Sequence, residues 1–287
     1  MIKNKKIFLG TALWGWGVNQ KDAFNLLDHY YSFGLRHIDT ALNYPIDKNP
    51  AHFGLCLKWL KKWINLNPKK KILITIKIGS LSNNGDTNFN LEYDYIMKQY
   101  EDLLKAFPKN LHCISVHWDN RDNSLENESS VKNTLKAFRK IKKNKLNIGF
   151  SGVNCPKLYS RYGDDLKKDW VIQVKNNIIN SEKLMFYKKY FPEAKYIAYG
   201  INGGGIKLTK HHPDSSVLLR GIQNENLLRD EFKKKFNEFK HNKFKVKNLN
   251  ELNLYITISD PKLNGFIIGP RNADQLKHSI KFLKLIS

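Results

Sequence analysis

Four residues suited to proton chemistry sit at or just beyond the ends of three successive apolar runs. Asp39 closes LRHIDTA, Tyr44 follows it by five residues, Lys77 is near the end of ILITIKI, and His117 ends LHCISVH. A carbonyl that accepts a hydride develops negative charge on its oxygen and needs a proton donor there. A tyrosine can be that donor: its ordinary pKa is about 10, and a neighbouring ammonium lowers it by favouring the phenolate. Lys77 would be the ammonium, and Asp39 on the adjacent run would keep it charged where an unpaired amine tends to lose its proton. His117 would hydrogen-bond the substrate oxygen and orient it. Taken singly, each residue has a plainer role: helix cap, snorkelling lysine, satisfied core histidine, packed tyrosine. The specificity lies in the combination.

The elements that must position these residues are eight short apolar runs rich in Ile, Val and Leu: 6–12, 35–41, 72–78, 111–117, 146–152, 170–175, 195–200 and 265–269. Continuous apolar runs of this length, separated by helix-length segments, are the pattern of parallel strands buried on both faces. Helices are expected at roughly 20–33, 51–65, 91–107, 129–143, 156–167, 180–190, 229–240 and 272–285, with Gly34 as the C-terminal cap of the first. Eight strand–helix units without a composition break favour an α/β fold, a closed (β/α)8 TIM barrel in one domain over 1–287. Residues 201–264 form a long loop region between the seventh and eighth strands, longer than a bare connection requires. In such barrels the reacting groups come from the C-terminal ends of the strands, which is where the four residues fall.

The chain resembles the aldo-keto reductase family over nearly its whole length. The matching strings are LGTALWGWG (9–17), GLRHIDTALNY (34–44), ITIKIG (74–79), ISVHWDN (114–120), NIGFSGV (147–153), IQVKNN (172–177), IAYGINGGG (197–205) and IIGPRNADQLKHSI (267–280), in the family's order and spacing. The resemblance places the family's catalytic tetrad on Asp39, Tyr44, Lys77 and His117, and implies a reversible, NADPH-dependent carbonyl reduction. It also implies that Ser151 and Gln173 hold the nicotinamide carboxamide and that the ring stacks on Tyr199. Gly203 and Gly205 after the seventh strand, with Gly269 after the eighth, would let backbone approach the phosphates. Arg271 resembles the arginine that faces a 2'-phosphate, so NADP is preferred over NAD, and Gln275 matches an adenine contact.

The match has departures. Gly152 stands where asparagine usually follows the serine, Ser279 replaces an asparagine near the adenine, and YPIDKNPAHFG replaces the usual loop after the tyrosine. The sequence stops at Ser287, after the eighth helix, where the family has a segment that often closes the pocket. The substrate pocket is therefore expected to be open and lined by Trp14, Trp16, Trp118 and the loop after the seventh strand. Such a site suits a sugar-derived carbonyl. The alternatives are a catalytically weak or inactive nucleotide-binding barrel acting as a sensor or assembly partner, or a Schiff-base lyase using Lys77.

Composition narrows the rest. Hydrophobic residues make up 41% of the chain and no segment has the length and apolarity of a membrane span. The N-terminal apolar run is broken by Gly10, Gly15 and Gly17 and reads as a strand, not a signal peptide. The net charge of +23 is spread along the whole chain together with abundant asparagine, as AT-rich coding produces, and argues against a nucleic-acid partner. Cys56, Cys113 and Cys155 lack metal-site spacing and fit reduced thiols of a cytoplasmic protein. The adjacent His211 and His212 lack partner ligands, so no metal is expected.

Overall fold

The computed structural model describes residues 5–208, 225–239 and 246–286, so His211 and His212 lie outside the described residues. Eight parallel strands close into a barrel in chain order: β1 (Lys6–Gly10), β2 (His37–Ala41), β3 (Leu73–Ile78), β4 (Leu111–Asp119), β5 (Asn147–Val153), β6 (Trp170–Lys175), β7 (Lys195–Tyr199) and β8 (Gly265–Ile268). Each lies within two residues of its expected bounds at either end. Nine helices follow among the described residues: α1 (Gln20–Ser32), α2 (Leu55–Leu66), α3 (Tyr93–Ala106), α4 (Glu128–Lys143), α5 (Pro156–Tyr162), α6 (Glu182–Lys188), α7 (Glu225–Phe239), α8 (Leu249–Ser259) and α9 (Ala273–Ile286).

Strand alternation divides the barrel into an outer core and an interior. Ile7 and Leu9 of β1, Ile38 of β2, Ile74 and Ile76 of β3, and Ile148 and Phe150 of β5 join the core packed under the helices. Their neighbours in sequence therefore point inward, and Gly10, Asp39, Lys77 and Ser151 line the cavity at the C-terminal mouth. Phe150 is the hub of the outer core on its side: its ring lies 5.3–5.9 Å from those of Tyr159, Trp170, Tyr187 and Phe191.

Helix bounds follow local chemistry. Asn19 caps α1 by accepting from the Asp22 amide, and Gly34 beyond its end takes a left-handed φ of 81°. The helix expected from residue 51 begins at Leu55 instead. Asn49 and Pro50 start a single 3-10 turn, and Gly54, at φ 75°, breaks it from α2. The segment from 201 to 264 holds α7 and α8, and α8 has no counterpart among the expected helices. It is buried on nearly every side, through Leu249, Leu252, Leu254, Thr257 and Ile258, so it lacks the one-sided apolar stripe that marks a surface helix. Asn248 caps it, and Glu251 accepts from the Lys247 amide in return. Phe232 of α7, Ile206, Val246, Leu249 and Leu252 form a small second core beside the mouth.

Truncating the hub, Phe150→Ala, should destabilise the protein by about 3–5 kcal/mol. Denaturant unfolding should show a lower midpoint with an unchanged slope.

Candidate active site

At the C-terminal mouth the strands enclose a cavity of about 720 Å³. Its floor brings together Asp39, Tyr44, Lys77 and His117, and its walls include Trp118, Ser151, Gln173 and Tyr199. Parallel register explains the meeting: Asp39 pairs with Thr75 and Ala41 with Lys77, so the inward faces of β2 and β3 present the carboxylate and the ammonium side by side.

Lys77 Nζ donates to Asp39 Oδ2 at 2.5 Å, and both side chains are almost completely buried. Burial alone pushes the Lys77 ammonium toward losing its proton. The Asp39 carboxylate and the Tyr44 oxygen, each charge-paired and hydrogen-bonded to it, outweigh that effect and raise its pKa above the ordinary lysine value. The ammonium lies 5.0 Å from the centre of the Tyr44 ring. His117 meets Tyr44 edge to face at 5.6 Å and packs against Trp118 at 4.2 Å. Burial, and then the charge of Lys77, hold the His117 pKa far below the ordinary histidine range, so the ring is neutral at pH 7. Its Nδ1 is buried without a hydrogen-bond partner.

Several groups fix this arrangement from behind. Trp118 donates from its indole nitrogen to the Thr87 carbonyl at 2.8 Å, and Asn120 donates to the same oxygen at 3.0 Å. The next residue, Asp119, is fully buried and accepts two hydrogen bonds from the Arg121 guanidinium and one from the Tyr159 hydroxyl. Nothing in the sequence flags Asp119 as an anchor, because its partners lie on other elements.

The expected cofactor residues divide into two groups. Ser151, Gln173, Tyr199, Gly203, Gly205 and Gly269 all line the cavity, and Ser151 hydrogen-bonds Tyr199. Gln173, however, donates from Nε2 to Asp39 Oδ1 at 2.5 Å, so the carboxylate is held on one oxygen by Lys77 and on the other by Gln173. The glycine turn also differs from an open cradle: the Gly203 amide donates to the Gly200 carbonyl and the Gly205 amide to that of Asn202. Positive φ at Gly200, Gly203, Gly204 and Gly205 makes this tight turn, and a Cβ on Gly203 would strike the Phe232 ring at 2.7 Å.

Arg271 and Gln275 are not on the cavity wall. Arg271 lines a separate depression with Trp16, His52 and Trp59, and its Nε donates to the Gly17 carbonyl at 3.1 Å. Gln275 accepts from the Arg271 amide at 2.9 Å. The expected tryptophan lining needs correction as well. Trp14 is 1% exposed and belongs to the outer core, because it sits in the turn from Leu13 to Val18 that folds over α2. Trp16 opens on the Arg271 depression, which leaves Trp118 as the tryptophan of the cavity.

Residues not anticipated also meet here. Lys175 and Asn177 line the cavity, and Lys175 ends β6, so the strand-end rule would have found it. Asn202 donates to Asn250 and accepts from Asn253, while Asn250 donates to Ser279, tying the glycine turn to α8 and α9. Spaced three apart on a helix absent from the sequence expectation, Asn250 and Asn253 carried no signal. Among the described residues no group of three His, Cys, Asp or Glu side chains is placed to hold a metal, and no helix is long and apolar enough to cross a membrane.

A family model described as the aldo/keto reductase family matches residues 6–286. A glycerol dehydrogenase from Gluconobacter oxydans shares the fold with a TM-score of 0.69 over 98% of this chain and 90% of its own, at 16% identity. At that identity the likeness shows the fold alone, which 310 chains of solved structures match. No curated protein matches the chain in a sequence search.

Removing one partner of the buried pair should be costly. Asp39→Ala strands the Lys77 ammonium and should lower stability by about 3–5 kcal/mol, whereas Asp39→Leu with Lys77→Met should recover most of it, as measured by urea unfolding.

Proposed function

The chain belongs to the aldo/keto reductase family, a family of carbonyl-reducing oxidoreductases, and from that premise we propose that it reduces an aldehyde or ketone to the alcohol with NADPH, Tyr44 serving as general acid. The observation that carries the proposal is the Lys77 ammonium, buried with Asp39 at the floor of the cavity and directed at the Tyr44 ring. In that setting the ammonium favours the phenolate, so the phenol gives up its proton readily as charge grows on the carbonyl oxygen. Neutral His117 can donate a hydrogen bond to the same oxygen and fix the carbonyl against Tyr44, with no competing positive charge. Trp118 supplies an apolar wall, positioned by the Thr87 carbonyl. Among the expected sugar-type aromatics only this tryptophan borders the cavity, so a sugar-derived substrate rests on Trp118 alone.

A nicotinamide dinucleotide, when bound, supplies the hydride. The cavity suits one: its 720 Å³ is bordered by glycines on two strand ends, and a Cβ on Gly269 would meet nothing within 4 Å. Ser151, Gln173 and Tyr199 would hold the nicotinamide end. Gln173 would exchange its bond to Asp39 for one to the carboxamide, or share its amide between them. Arg271, its Nε bound to the Gly17 carbonyl, would meet a 2'-phosphate through its terminal nitrogens, which favours NADP. The buried thiols of Cys56, Cys113 and Cys155, all held protonated mainly by burial, support a reduced, cytoplasmic setting.

The competing function, a barrel that binds nucleotide without turnover, draws on Gly152, Ser279 and the engaged Arg271. Tyr44→Phe separates the two. The variant should bind NADPH with unchanged affinity by tryptophan fluorescence and lose at least about a thousandfold in carbonyl reduction, consistent with loss of general acid catalysis and its hydrogen bond. Wild-type protein that binds NADPH and reduces no member of a broad carbonyl panel would favour the sensor. Arg271→Ala should weaken NADPH and leave NADH binding almost unchanged if the guanidinium reads the 2'-phosphate.

A further inference from the structure

The opposite end of the barrel carries a second cluster of titratable groups with no part in the reaction described above. The alternation that aims Gly10, Asp39, Ser151 and Tyr199 into the C-terminal mouth also turns inward the residues two or four positions earlier on the same strands. These are Lys6 on β1, His37 on β2, Asn147 on β5 and Lys195 on β7, each at or beside the first residue of its strand. A register irregularity between β3 and β4 brings His112 into the same layer. The rings of His37 and His112 lie 5.4 Å apart, and Phe8 packs on His37 at 4.9 Å. Asn147 Nδ2 lies 3.3 Å from His112 Nε2 and donates to the His112 carbonyl at 3.1 Å.

The electrostatics of this layer are one-sided. Burial first, then the charges of Lys6 and His112, hold His37 down at about 4, and burial with Lys6 and Lys195 lowers His112. Among the described residues no carboxylate acts on either imidazole; Asp260, at the same end, acts on Lys5 instead. His37 Nδ1 is buried without a partner. Both imidazoles and Asn147 are half-buried, and Lys6 and Lys195 are exposed, so solvent reaches the layer from the N-terminal side. Gathered cations with no counter-charge, beside an unpartnered ring nitrogen and the apolar wall of Phe8, form a setting that a doubly charged, multi-acceptor ligand would complete.

We propose that the N-terminal mouth of the barrel binds a small dianionic oxyanion of the phosphate class, held by Lys6, Lys195, His37 and His112 with Asn147 at its side. The anion supplies the missing counter-charge and draws protons onto the imidazoles, so an anion that keeps both charges binds more tightly as the pH falls from about 8 toward 5, whereas inorganic phosphate loses one charge over that range. Acceptors on the anion meet donors on four strands, so binding also ties the open end of the barrel together and raises stability by mass action. The site is independent of the reductase assignment, and either can fail alone.

Sulfate is the probe, since it keeps its double charge over that whole pH range. The wild-type protein is titrated with sodium sulfate at constant ionic strength in sodium chloride, and the imidazole protons of His37 and His112 are followed by NMR, assigned with His37→Asn and His112→Asn. The expected result is a saturable shift with one midpoint, tighter at lower pH, and an apparent His37 pKa raised by about one unit or more. Lys6→Met with Lys195→Met should weaken the midpoint at least about tenfold while NADPH binding at the far mouth is unchanged. If the double variant does not fold, Lys195→Gln alone gives the same readout with a smaller loss. Inorganic phosphate and glycerol phosphate identify the source: equal midpoints point to the free oxyanion, and a tighter ester points to a phosphorylated metabolite. A response linear in salt, reproduced by chloride, or unaltered by the lysine variants overturns the site.

Discussion

The ion pair between Lys77 and Asp39 is the constraint on which the site is built. Two charges lie in a place that water scarcely reaches, and their attraction offsets the cost of desolvation only while each keeps its partners. The barrel meets that condition through register: β2 and β3 hold the two groups side by side, and Gln173 from β6 satisfies the second carboxylate oxygen. The pair in turn sets its neighbours. It places positive charge beside the Tyr44 ring, and that charge adds to burial in holding His117 neutral.

Strand alternation gives this barrel two chemically different ends from one set of strands. β2 carries His37 at its start and Asp39 two residues later; β5 carries Asn147 and Ser151; β7 carries Lys195 and Tyr199. At the C-terminal mouth the cation is paired and shielded. At the N-terminal mouth the charges of Lys6 and Lys195 act on the imidazoles, and among the described residues no carboxylate does. Between these ends the interior is filled by side chains such as Thr75, Cys113 and Ser115, all buried, so the two mouths do not form one channel.

Much of this was legible in the sequence because the signals were local. Asp39, Lys77 and His117 end apolar runs, and the parallel barrel inferred from those runs requires such strand ends to converge. What was not legible depends on contacts between distant elements. Trp14 and Trp16 lie two residues apart in one glycine-rich turn, yet the turn buries the first and directs the second into a separate depression. Gln173 could be assigned to the cavity from its place on β6, but its bond to Asp39 spans 134 residues of sequence. Helix α8 was hidden because burial on nearly all sides erases amphipathic periodicity, and with it the asparagines that tie the glycine turn to Ser279.

The charge on Lys77 is the central quantity, and it can be observed directly. With 15N-labelled lysine, the Nζ resonance assigned by its loss in Lys77→Met reports whether the group is ammonium or amine. The expected result is an ammonium that persists past the ordinary lysine value of 10.5 in the folded protein. A neutral amine at Lys77 near pH 8 would contradict it, because the group beside Tyr44 would then carry no charge with which to favour the phenolate.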